Sequence, residues 1–285
     1  PGAGAMSVFA PPIAIVRDVV RRAVDEDLGA LGDLTSVAVV PDEAAGTGRF
    51  VARAAGVIAG TAAASETFAH VDAAVSVTWA VSDGNAVQPG DELGRVEGPV
   101  RSLLVAERTA LNLLTHCSGV ATFTRAFVDA VAGTGARIRD TRKTLPGLRA
   151  LEKAAVRAGG GFNHRESLSD AVLIKDNHLV HLPLREAVER ARARWPGRIV
   201  EVECDSLEQV SEAKAVGPDL VLLDNMTPAE VTDAVAALGG ALPVEVSGGV
   251  TLETARAYAE AGADFISVGA ITHSAPILDI ALELE

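Results

Sequence analysis

The second half of the chain repeats one pattern of hydrophobic and polar positions. Short runs rich in Val, Ile and Leu alternate with segments of helical character, such as "SLEQVSEAKAV" and "TPAEVTDAVAAL". Near-continuous apolar strands that alternate with helices are typical of a parallel sheet covered by helices. The strands predicted from this pattern cover residues 136–140, 171–176, 197–204, 219–225, 243–249 and 264–270.

The number of these units limits the architecture. About six βα units fit between residues 121 and 285, whereas a complete eight-stranded barrel needs roughly 250 residues. We therefore expect an α/β barrel with fewer than eight strands, with an open sheet as the alternative. In either arrangement, ligands bind at the carboxyl ends of the strands.

The first half of the chain predicts a small α+β unit. A helix is expected from about residue 12 to residue 28, and a polar turn at 32–36, "GDLTS". A second helical stretch covers 61–71. The strand-like stretches on either side of it cover 49–60, 75–81 and 91–98.

A long helix is predicted over residues 101–132, with an interruption at Gly119 and a stop at Gly133. Arg108 lies at helical spacing from Leu104 and Leu111, so it shares a helix face with apolar side chains. A cation there needs an anionic partner, and the simplest hypothesis is a salt bridge to a nearby Glu.

Composition and charge exclude several classes of function. The 285 residues carry a formal net charge of −13 with 48% apolar content, so the field of the molecule repels nucleic acid and anionic membranes. No apolar run approaches the roughly 20 residues that span a bilayer, and we expect a soluble cytoplasmic protein. Cys117 and Cys204 lie far apart in the sequence and are predicted to be packed thiols, not a disulfide.

The candidate chemistry follows the predicted strands. Glu203, Asp224, Ser247 and Gly269 are spaced 21, 23 and 22 residues apart, so they occupy equivalent places in successive units. Because the carboxyl ends of parallel strands meet at one edge, we expect these four residues to converge on one mouth.

Two glycine turns at this mouth predict a phosphate site. "SGGVT" leads into a helix and exposes backbone N–H groups at a positive helix N-terminus, and "VGAITHS" offers a second turn. Facing such a site, Glu203 and Asp224 would hold ribose hydroxyls or a Mg²⁺ on a pyrophosphate, and would stabilise positive charge on a sugar carbon. Solvated helix caps are the alternative interpretation of both carboxylates.

Cationic side chains are concentrated in the block that begins with "RDTRKTLPGLR". Arg149, Lys153 and Arg157 follow a helical spacing, and we interpret them as a solvated helix face with Glu152 as a partner. Another set lies beside strand ends, where such cations suit a small dicarboxylate. Its members are Arg142, Lys143, His164, Arg165 and Lys175.

The same residues resemble a known family. "RDTRKTLPGLRALEKAAVRAGGGFNHRESLSDAVLIKDNH", together with upstream "AERTALNLL" and downstream "EVE", "LLDN", "SGGV" and "SVGA", is similar to quinolinate phosphoribosyltransferase, also called nicotinate-nucleotide pyrophosphorylase (carboxylating). The similarity covers nearly the whole chain, including "DLTS". Ala154 and Cys204 depart from the residues usual in the family, and neither change removes a charged site residue.

The resemblance implies an α/β fold with an N-terminal α/β sandwich domain at 7–118 and an incomplete, about seven-stranded α/β barrel at 119–274. The tail at 275–285 is expected to pack back on the first domain. It also implies an obligate homodimer that makes nicotinate mononucleotide, pyrophosphate and CO₂ from quinolinate and phosphoribosyl pyrophosphate (PRPP), in NAD biosynthesis. Mg²⁺ is the implied cofactor, with no organic cofactor, and the implied partners include neither nucleic acid nor membrane.

Carried over by resemblance, the site residues fall into overlapping groups. The expected catalytic residues are Lys143, Lys175, Glu203 and Asp224, of which the last two would bind Mg²⁺. The expected quinolinate-binding residues are Thr141, Arg142, Lys143, His164, Arg165, Lys175 and, from the other subunit of the dimer, Arg108. The expected PRPP-binding residues are Glu203, Asp224, Ser247, Gly248, Gly249, Val268, Gly269 and Ala270.

Two rival functions use overlapping sets of residues. A phosphoribosyltransferase for nicotinate or a related acid, without decarboxylation, needs one carboxylate clamp, whereas this block supplies enough cations for two. A non-catalytic sugar-phosphate binder would keep the glycine turns but would need neither Glu203 nor Asp224.

Overall fold

The computed structural model describes residue 9 and residues 11–285. These residues form two compact units. The first contains the described residues up to 125 together with 144–160 and 271–285, and the second contains 126–143 and 161–270. No helix among the described residues has the length and apolar character that crossing a membrane requires.

The first unit is built on an antiparallel sheet. Its early helices and strands are α1 (Ile13–Leu28), α2 (Leu34–Val39), β1 (Ala45–Ala52), β2 (Gly56–Val57), α3 (Thr61–Val71), β3 (Ser76–Trp79), β4 (Ala86–Val87) and β5 (Glu92–Pro99). They are followed by α4 (Val100–Ala130), whose last residues belong to the second unit, and by α5 (Arg149–Ala158). The last elements of the chain are α11 (Ala270–His273), whose first residue belongs to the second unit, and β12 (Ile280–Leu284).

The main sheet of this unit has the strand order β12-β1-β5-β3, so the last strand of the chain pairs with the first. Aromatic side chains lie at the centre of the core beside this sheet. The ring of Phe50 on β1 stacks on Trp79 with centroids 4.7 Å apart, and meets Phe68 of α3 edge-on at 6.0 Å. Phe50 and Phe68 are fully buried, which ties the sheet to the helix that covers it.

The prediction of a polar turn at 32–36 is wrong from Leu34 onward, where the helix α2 begins. Asp33 is the N-cap of the short helix α2, because its Oδ1 accepts hydrogen bonds from the N–H groups of Thr35 and Ser36, both at 3.0 Å. A carboxylate that satisfies two otherwise unpaired amides starts a helix as readily as it makes a turn. The turn prediction therefore missed α2.

The predicted interruption at Gly119 is also wrong, because α4 runs unbroken from Val100 to Ala130. The glycine serves close packing instead. A Cβ at position 119 would overlap the carbonyl oxygen of Pro276 and would lie 2.9 Å from the Cα of Ile277. The helix accepts the unfavourable propensity of glycine so that the C-terminal segment can cross it.

The interpretation of the α5 cations as a solvated face is wrong. Lys153 and Glu152 are 1% and 0% exposed. One Glu152 oxygen lies 2.9 Å from Nε2 of His116, and the other accepts the N–H of Leu145 at 3.1 Å. Regular helical spacing alone does not distinguish a solvated face from one that is covered by other parts of the chain.

The second unit contains all six strands predicted from the repeated pattern, in one parallel sheet. The strands are β6 (Arg137–Arg139), β7 (Val172–Ile174), β8 (Val200–Cys204), β9 (Leu220–Asp224), β10 (Val244–Ser247) and β11 (Phe265–Ser267). The helices are α6 (Asp176–Leu179), α7 (Leu184–Arg194), α8 (Leu207–Val216), α9 (Pro228–Leu238) and α10 (Leu252–Glu260).

This parallel sheet has the order β6-β11-β10-β9-β8-β7. Phe162 adds a single parallel bridge on the free side of β6, at the position of a seventh strand. No strand pairing closes the sheet between Phe162 and β7 within residues 11–285. The sheet is curved, since His164, two residues after Phe162, lies 2.9 Å from Glu201 of β8, a strand five positions away in the order of the sheet. The predicted α/β barrel with fewer than eight strands is thus confirmed.

The two cysteines are free and buried, as predicted. Burial raises the pKa of both thiols, that of Cys204 to about 12. Nearby carboxylates add to this effect, led by Asp83 at Cys117 and by Asp205 at Cys204. Both thiols therefore stay protonated and unreactive at neutral pH.

Candidate active site

The parallel sheet has one apolar face and one polar face. Its register places Ile266, Val246 and Leu223 on the same face, and each is fully buried. The residues one position further along point to the opposite face, because side chains alternate along a strand. They are Ser267, Ser247 and Asp224, joined on the flanking strands by Arg139 and Glu203. Polar residues of five strands therefore share the inner face near the strand ends.

Lys175 and Glu203 are brought together at this mouth. Lys175 follows β7 and Glu203 lies in β8, and their ammonium and carboxylate groups form an ion pair. The side chain of Lys175 remains 42% exposed, whereas that of Glu203 is 13% exposed. The backbone N–H of Lys175 donates to Nδ1 of His178 at 2.9 Å, which fixes the start of α6. Lys175, which is expected to bind the dicarboxylate, thus contacts Glu203, which is expected to bind the ribose.

Asp224 ends β9 and is followed by a strained residue. Asn225 has φ +56°, and no other non-glycine residue of the described chain has a positive φ. Its side-chain amide donates to Oδ2 of Asp224 at 2.7 Å, and its backbone N–H donates to the carbonyl of Ser247 at 2.9 Å. Asn tolerates this conformation better than most residues. It fixes the aspartate against the neighbouring strand, a role that sequence analysis missed.

The turn after β10 has the open backbone expected of a phosphate site. Gly248 has φ +96°, and a Cβ there would overlap the side chain of Asn225. Gly249 has φ +64° with open space around it. The turn leads into α10, whose first turn also carries Glu253. The hydroxyl of Thr251 and the N–H of Glu253 lower the pKa of that carboxyl. An anion at this helix end must therefore compete with a carboxylate.

The second glycine turn differs from the first. Val268 is 1% exposed, and its N–H donates to the carbonyl of Arg139 at 2.9 Å, so this amide belongs to the sheet. Gly269 precedes α11, which begins at Ala270 and has four residues. A helix this short adds little dipole, so a phosphate here would depend on individual amides.

Two cations predicted to bind the dicarboxylate, Arg142 and Arg165, lie close to each other in the second unit. The pKa of Arg165 is lowered, first by burial and then by the charge of Arg142, while Glu201 acts in the opposite direction. Arg165 also donates to the carbonyl of Ala171 at 3.1 Å. Two guanidinium groups that repel each other in a half-buried place favour an anionic ligand between them.

Thr141 and Lys143 belong to the turn that follows β6. The Thr141 hydroxyl accepts the backbone N–H of Lys143 at 3.0 Å, and the side chain of Lys143 is exposed. Asp140, at the start of the turn, is fully buried and accepts the backbone N–H of His164 at 2.8 Å. This hydrogen bond links the two cationic segments of the site.

A buried network lies deeper on the inner face, and we call it the His164 network. Nε2 of His164 lies 2.9 Å from an oxygen of Glu201 and 3.5 Å from one of Glu245. Glu245 also accepts hydrogen bonds from Arg139 and from the Ser267 hydroxyl, both at 2.5 Å. Burial raises the pKa of Glu245, and the charge of Glu201 adds to this effect. Sequence analysis gave Glu201 and Glu245 no role.

His164, Glu201 and Glu245 have ligand atoms close enough together to hold a metal ion. However, the Arg139 guanidinium donates to the same Glu245 carboxylate, so a cation would be placed beside a fixed positive charge. We therefore interpret the cluster as an internal hydrogen-bond network. Glu203 and Asp224 carry hard carboxylate oxygens at the open end of the strands, where Lys175 already pairs with Glu203.

Arg108 is the one predicted site residue that lies in the first unit. Its side chain is 65% exposed, and the nearest acidic oxygen is that of Glu107 at 3.9 Å. An exposed pair at this distance contributes little to stability, so the hypothesis of a structural salt bridge explains little. The other predicted site residues lie in the second unit, either at the strand ends or in the turns that follow them.

The fold and the site together define the class of protein. It is an incomplete parallel α/β barrel that carries cations, carboxylates and glycine turns at one mouth. Two family models match the chain: quinolinate phosphoribosyl transferase, N-terminal domain, over residues 33–118, and its C-terminal domain over residues 120–283. The chain belongs to the quinolinate phosphoribosyl transferase family.

Individual relatives agree with this assignment. The nicotinate-nucleotide pyrophosphorylase [carboxylating] of Mycobacterium leprae is 49% identical over 94% of this chain and 96% of its own length. The quinolinate phosphoribosyltransferase [decarboxylating] 1b of Nicotiana tabacum is 37% identical over 97% of this chain and 84% of its own. The solved structure of the Francisella tularensis nicotinate-nucleotide pyrophosphorylase superposes with a TM-score of 0.92 at 37% identity, covering 98% of this chain and 99% of that one.

Proposed function

We propose that this chain transfers the phosphoribosyl group of PRPP to quinolinate with loss of CO₂, giving nicotinate mononucleotide and pyrophosphate for NAD biosynthesis. The enzyme is a pentosyltransferase. The observation that carries the proposal is the Lys175–Glu203 ion pair, since it joins a cation suited to a carboxylate with a carboxylate suited to a ribose at one mouth. The relatives named above act in this reaction according to their names.

Quinolinate has two adjacent carboxylates. The cationic residues in the turn after β6 and around His164 supply enough positive charge to bind both of them. Arg142 and Arg165 are close enough to perturb each other electrostatically, and an anion between them relieves this repulsion. Lys143 and Lys175 supply ammonium groups, while Thr141 and His164 add shorter polar contacts. Holding both carboxylates fixes the ring plane, so that the pyridine nitrogen faces the sugar carbon.

PRPP would lie opposite, along the ends of β8 to β11. Glu203 and Asp224 would contact the ribose, and the backbone around Ser247, Gly248, Gly249 and Gly269 would hold the 5′-phosphate. Glu203 and Asp224 are also the residues that would hold Mg²⁺, because hard carboxylate oxygens suit it. When bound there, Mg²⁺ would neutralise charge on the departing pyrophosphate.

The reaction then needs two bond exchanges. The lone pair of the pyridine nitrogen attacks C1′ of the sugar while the C1′–O bond to pyrophosphate breaks, and Glu203 and Asp224 stabilise the positive charge that develops on the sugar. The ring nitrogen is now cationic. The C2–carboxylate bond can break because this nitrogen stabilises the electron pair left on C2, CO₂ leaves, and C2 takes up a proton. Lys143 and Lys175 hold the ring during both steps.

One assay separates this function from its rivals. The purified chain is incubated with PRPP and Mg²⁺ together with either quinolinate or nicotinate, and CO₂ and pyrophosphate release are measured. Both products are expected with quinolinate, and neither with nicotinate. Pyrophosphate from nicotinate without CO₂ from quinolinate would favour the non-decarboxylating enzyme. Binding of PRPP with no release of either product would favour a sugar-phosphate binder.

We further propose that the chain works as a homodimer in which Arg108 completes the quinolinate site of the other subunit. The exposure of Arg108 and its weak contact within its own chain support this assignment. The cytoplasmic location expected from the sequence remains a prediction.

A further inference from the structure

The two carboxylates of the His164 network are closed to solvent, whereas the imidazole and the guanidinium that bind them are not. Glu245 and Glu201 are 0% and 2% exposed, and the side chains of His164 and Arg139 are 10% and 20% exposed. A ligand at the mouth can therefore touch His164 or Arg139, but not the carboxylates behind them. Any effect of Glu245 on a ligand must act through these two side chains.

Stability alone does not explain a carboxylate at position 245. Its neighbours Val244 and Val246 are buried and apolar, and the pKa of the Glu245 carboxyl is raised because burial disfavours its charge. A well-packed apolar residue in such a place is often neutral or stabilising. The Glu245 carboxylate nevertheless accepts from two donors at 2.5 Å, on Arg139 and Ser267. These contacts arrange polar groups on the inner face of the sheet.

The same contacts restrict the imidazole. Nε2 of His164 lies 2.9 Å from a carboxylate oxygen of Glu201, so this contact holds the tip of the ring against β8. Glu245 lies 3.5 Å from the same nitrogen and so borders the ring on a second strand. The backbone N–H of His164 is separately held by Asp140 at 2.8 Å. The ring is thereby fixed at its base and at its tip.

We propose that Glu245 is a positioning residue for the dicarboxylate half of the site, which anchors Arg139 and, together with Glu201, holds the imidazole of His164 in one orientation with its Nε2 facing the two carboxylates. The inference rests on the proposed function, in which His164 contacts quinolinate. Glu245 itself touches no substrate.

The test compares Glu245→Gln with the wild-type enzyme in steady-state kinetics. The variant keeps the shape but replaces one of the two acceptor oxygens with a donor, so KM for quinolinate should rise on the order of tenfold, the effect of losing a hydrogen bond to a charged group. KM for PRPP should stay within about twofold of the wild-type value, which is the scatter expected between independent sites. Ser267→Ala, which keeps Glu245 and removes one of its donors, should give a smaller rise in the same constant.

Asp264→Asn is the matched control. Its carboxylate accepts the N–H of Val244, the first residue of β10 and the neighbour of Glu245 in the chain, at 2.8 Å. This variant should lower Tm and leave both KM values unchanged. If Glu245→Gln instead changes both KM values to the same extent, or changes neither, Glu245 has a purely structural role and the proposal is wrong.

A double-mutant cycle tests the route through the imidazole. In a His164→Asn background, Glu245→Gln should raise KM for quinolinate little further, because the side chain that it positions is gone. If the two substitutions instead raise KM for quinolinate by factors that multiply in the double variant, the inference is wrong. The proposed function fails separately, and only if the wild-type enzyme releases no CO₂ from quinolinate.

Discussion

The side chain of Asn225 occupies the space that a Cβ on residue 248 would need, so Asn225 and Gly248 are complementary across the ends of β9 and β10. The left-handed backbone of Asn225 and the positive φ of Gly248 make this close approach possible. Because Asn225 also holds the carboxylate of Asp224, the pair links a candidate sugar ligand to the candidate phosphate turn.

Gly248→Ala is expected to weaken PRPP binding, since the added methyl group displaces Asn225 and with it Asp224. KM for PRPP should rise at least tenfold, with a loss of about 1–3 kcal/mol in the free energy of unfolding from overpacking and backbone strain. Gly249→Ala is the matched control, because a Cβ at that position meets open space at a similar positive φ. Equal effects of the two variants on KM would contradict the steric explanation.

Lys143→Ala should abolish turnover while leaving the fold intact, because the Lys143 side chain is exposed and is expected to act on the ring carboxylates. A loss of at least about 100-fold in kcat/KM for quinolinate corresponds to one charge-assisted contact that is present during both bond exchanges. Thermal unfolding should be unchanged. Lys214→Ala, which removes an exposed lysine from α8, is the control and should retain full activity. Full activity in the Lys143 variant would remove that residue from the site.

The shared site can be tested by mixing two inactive chains. Arg108→Ala and Lys175→Ala chains are co-expressed and purified together. If Arg108 acts across the dimer, one of the two sites in each mixed dimer has both residues. Roughly a quarter of wild-type activity should then return, since about half of randomly assembled two-fold dimers are mixed. No recovery in demonstrably mixed dimers would contradict a site shared between subunits.

Removal of divalent cations should stop the reaction. Treatment with a chelator is expected to abolish pyrophosphate release from PRPP and quinolinate, and excess Mg²⁺ should restore it. Asp224→Asn should raise the Mg²⁺ concentration needed for half-maximal activity at least tenfold, because one charged oxygen ligand becomes neutral. Turnover that continues in the chelator would exclude the proposed cofactor. An unchanged Mg²⁺ requirement in the variant would exclude Asp224 as its ligand.

Glu253→Gln should strengthen PRPP binding. The lowered pKa of Glu253 keeps its carboxylate ionised at neutral pH, at the helix end where the 5′-phosphate is expected. Removing this like charge should lower KM for PRPP roughly two- to fivefold, the effect of one exposed charge at a helix N-terminus. The control is Glu260→Gln at the other end of α10, which should leave KM unchanged. A higher KM in the Glu253 variant would show that the carboxylate assists binding.

The sequence by itself determined the parallel α/β architecture, because apolar runs such as 219–225 alternate regularly with helical segments, although a barrel and an open sheet both fitted that alternation. It also determined which residues follow the strands, since parallel strand ends must share one edge. These are local properties of the chain, and the strand predictions made from them were confirmed.

Only the tertiary structure decided what surrounds each residue. Gly119 could be identified as a packing site only once Pro276 was placed against it, and the helical spacing of Lys153 did not show that the residue is buried. Glu245 lies in an apolar strand pattern and has meaning only because Arg139, His164 and Ser267, distant in sequence, meet it inside the barrel. Contacts between distant residues depend on how the strands and helices pack, and no local pattern records that packing.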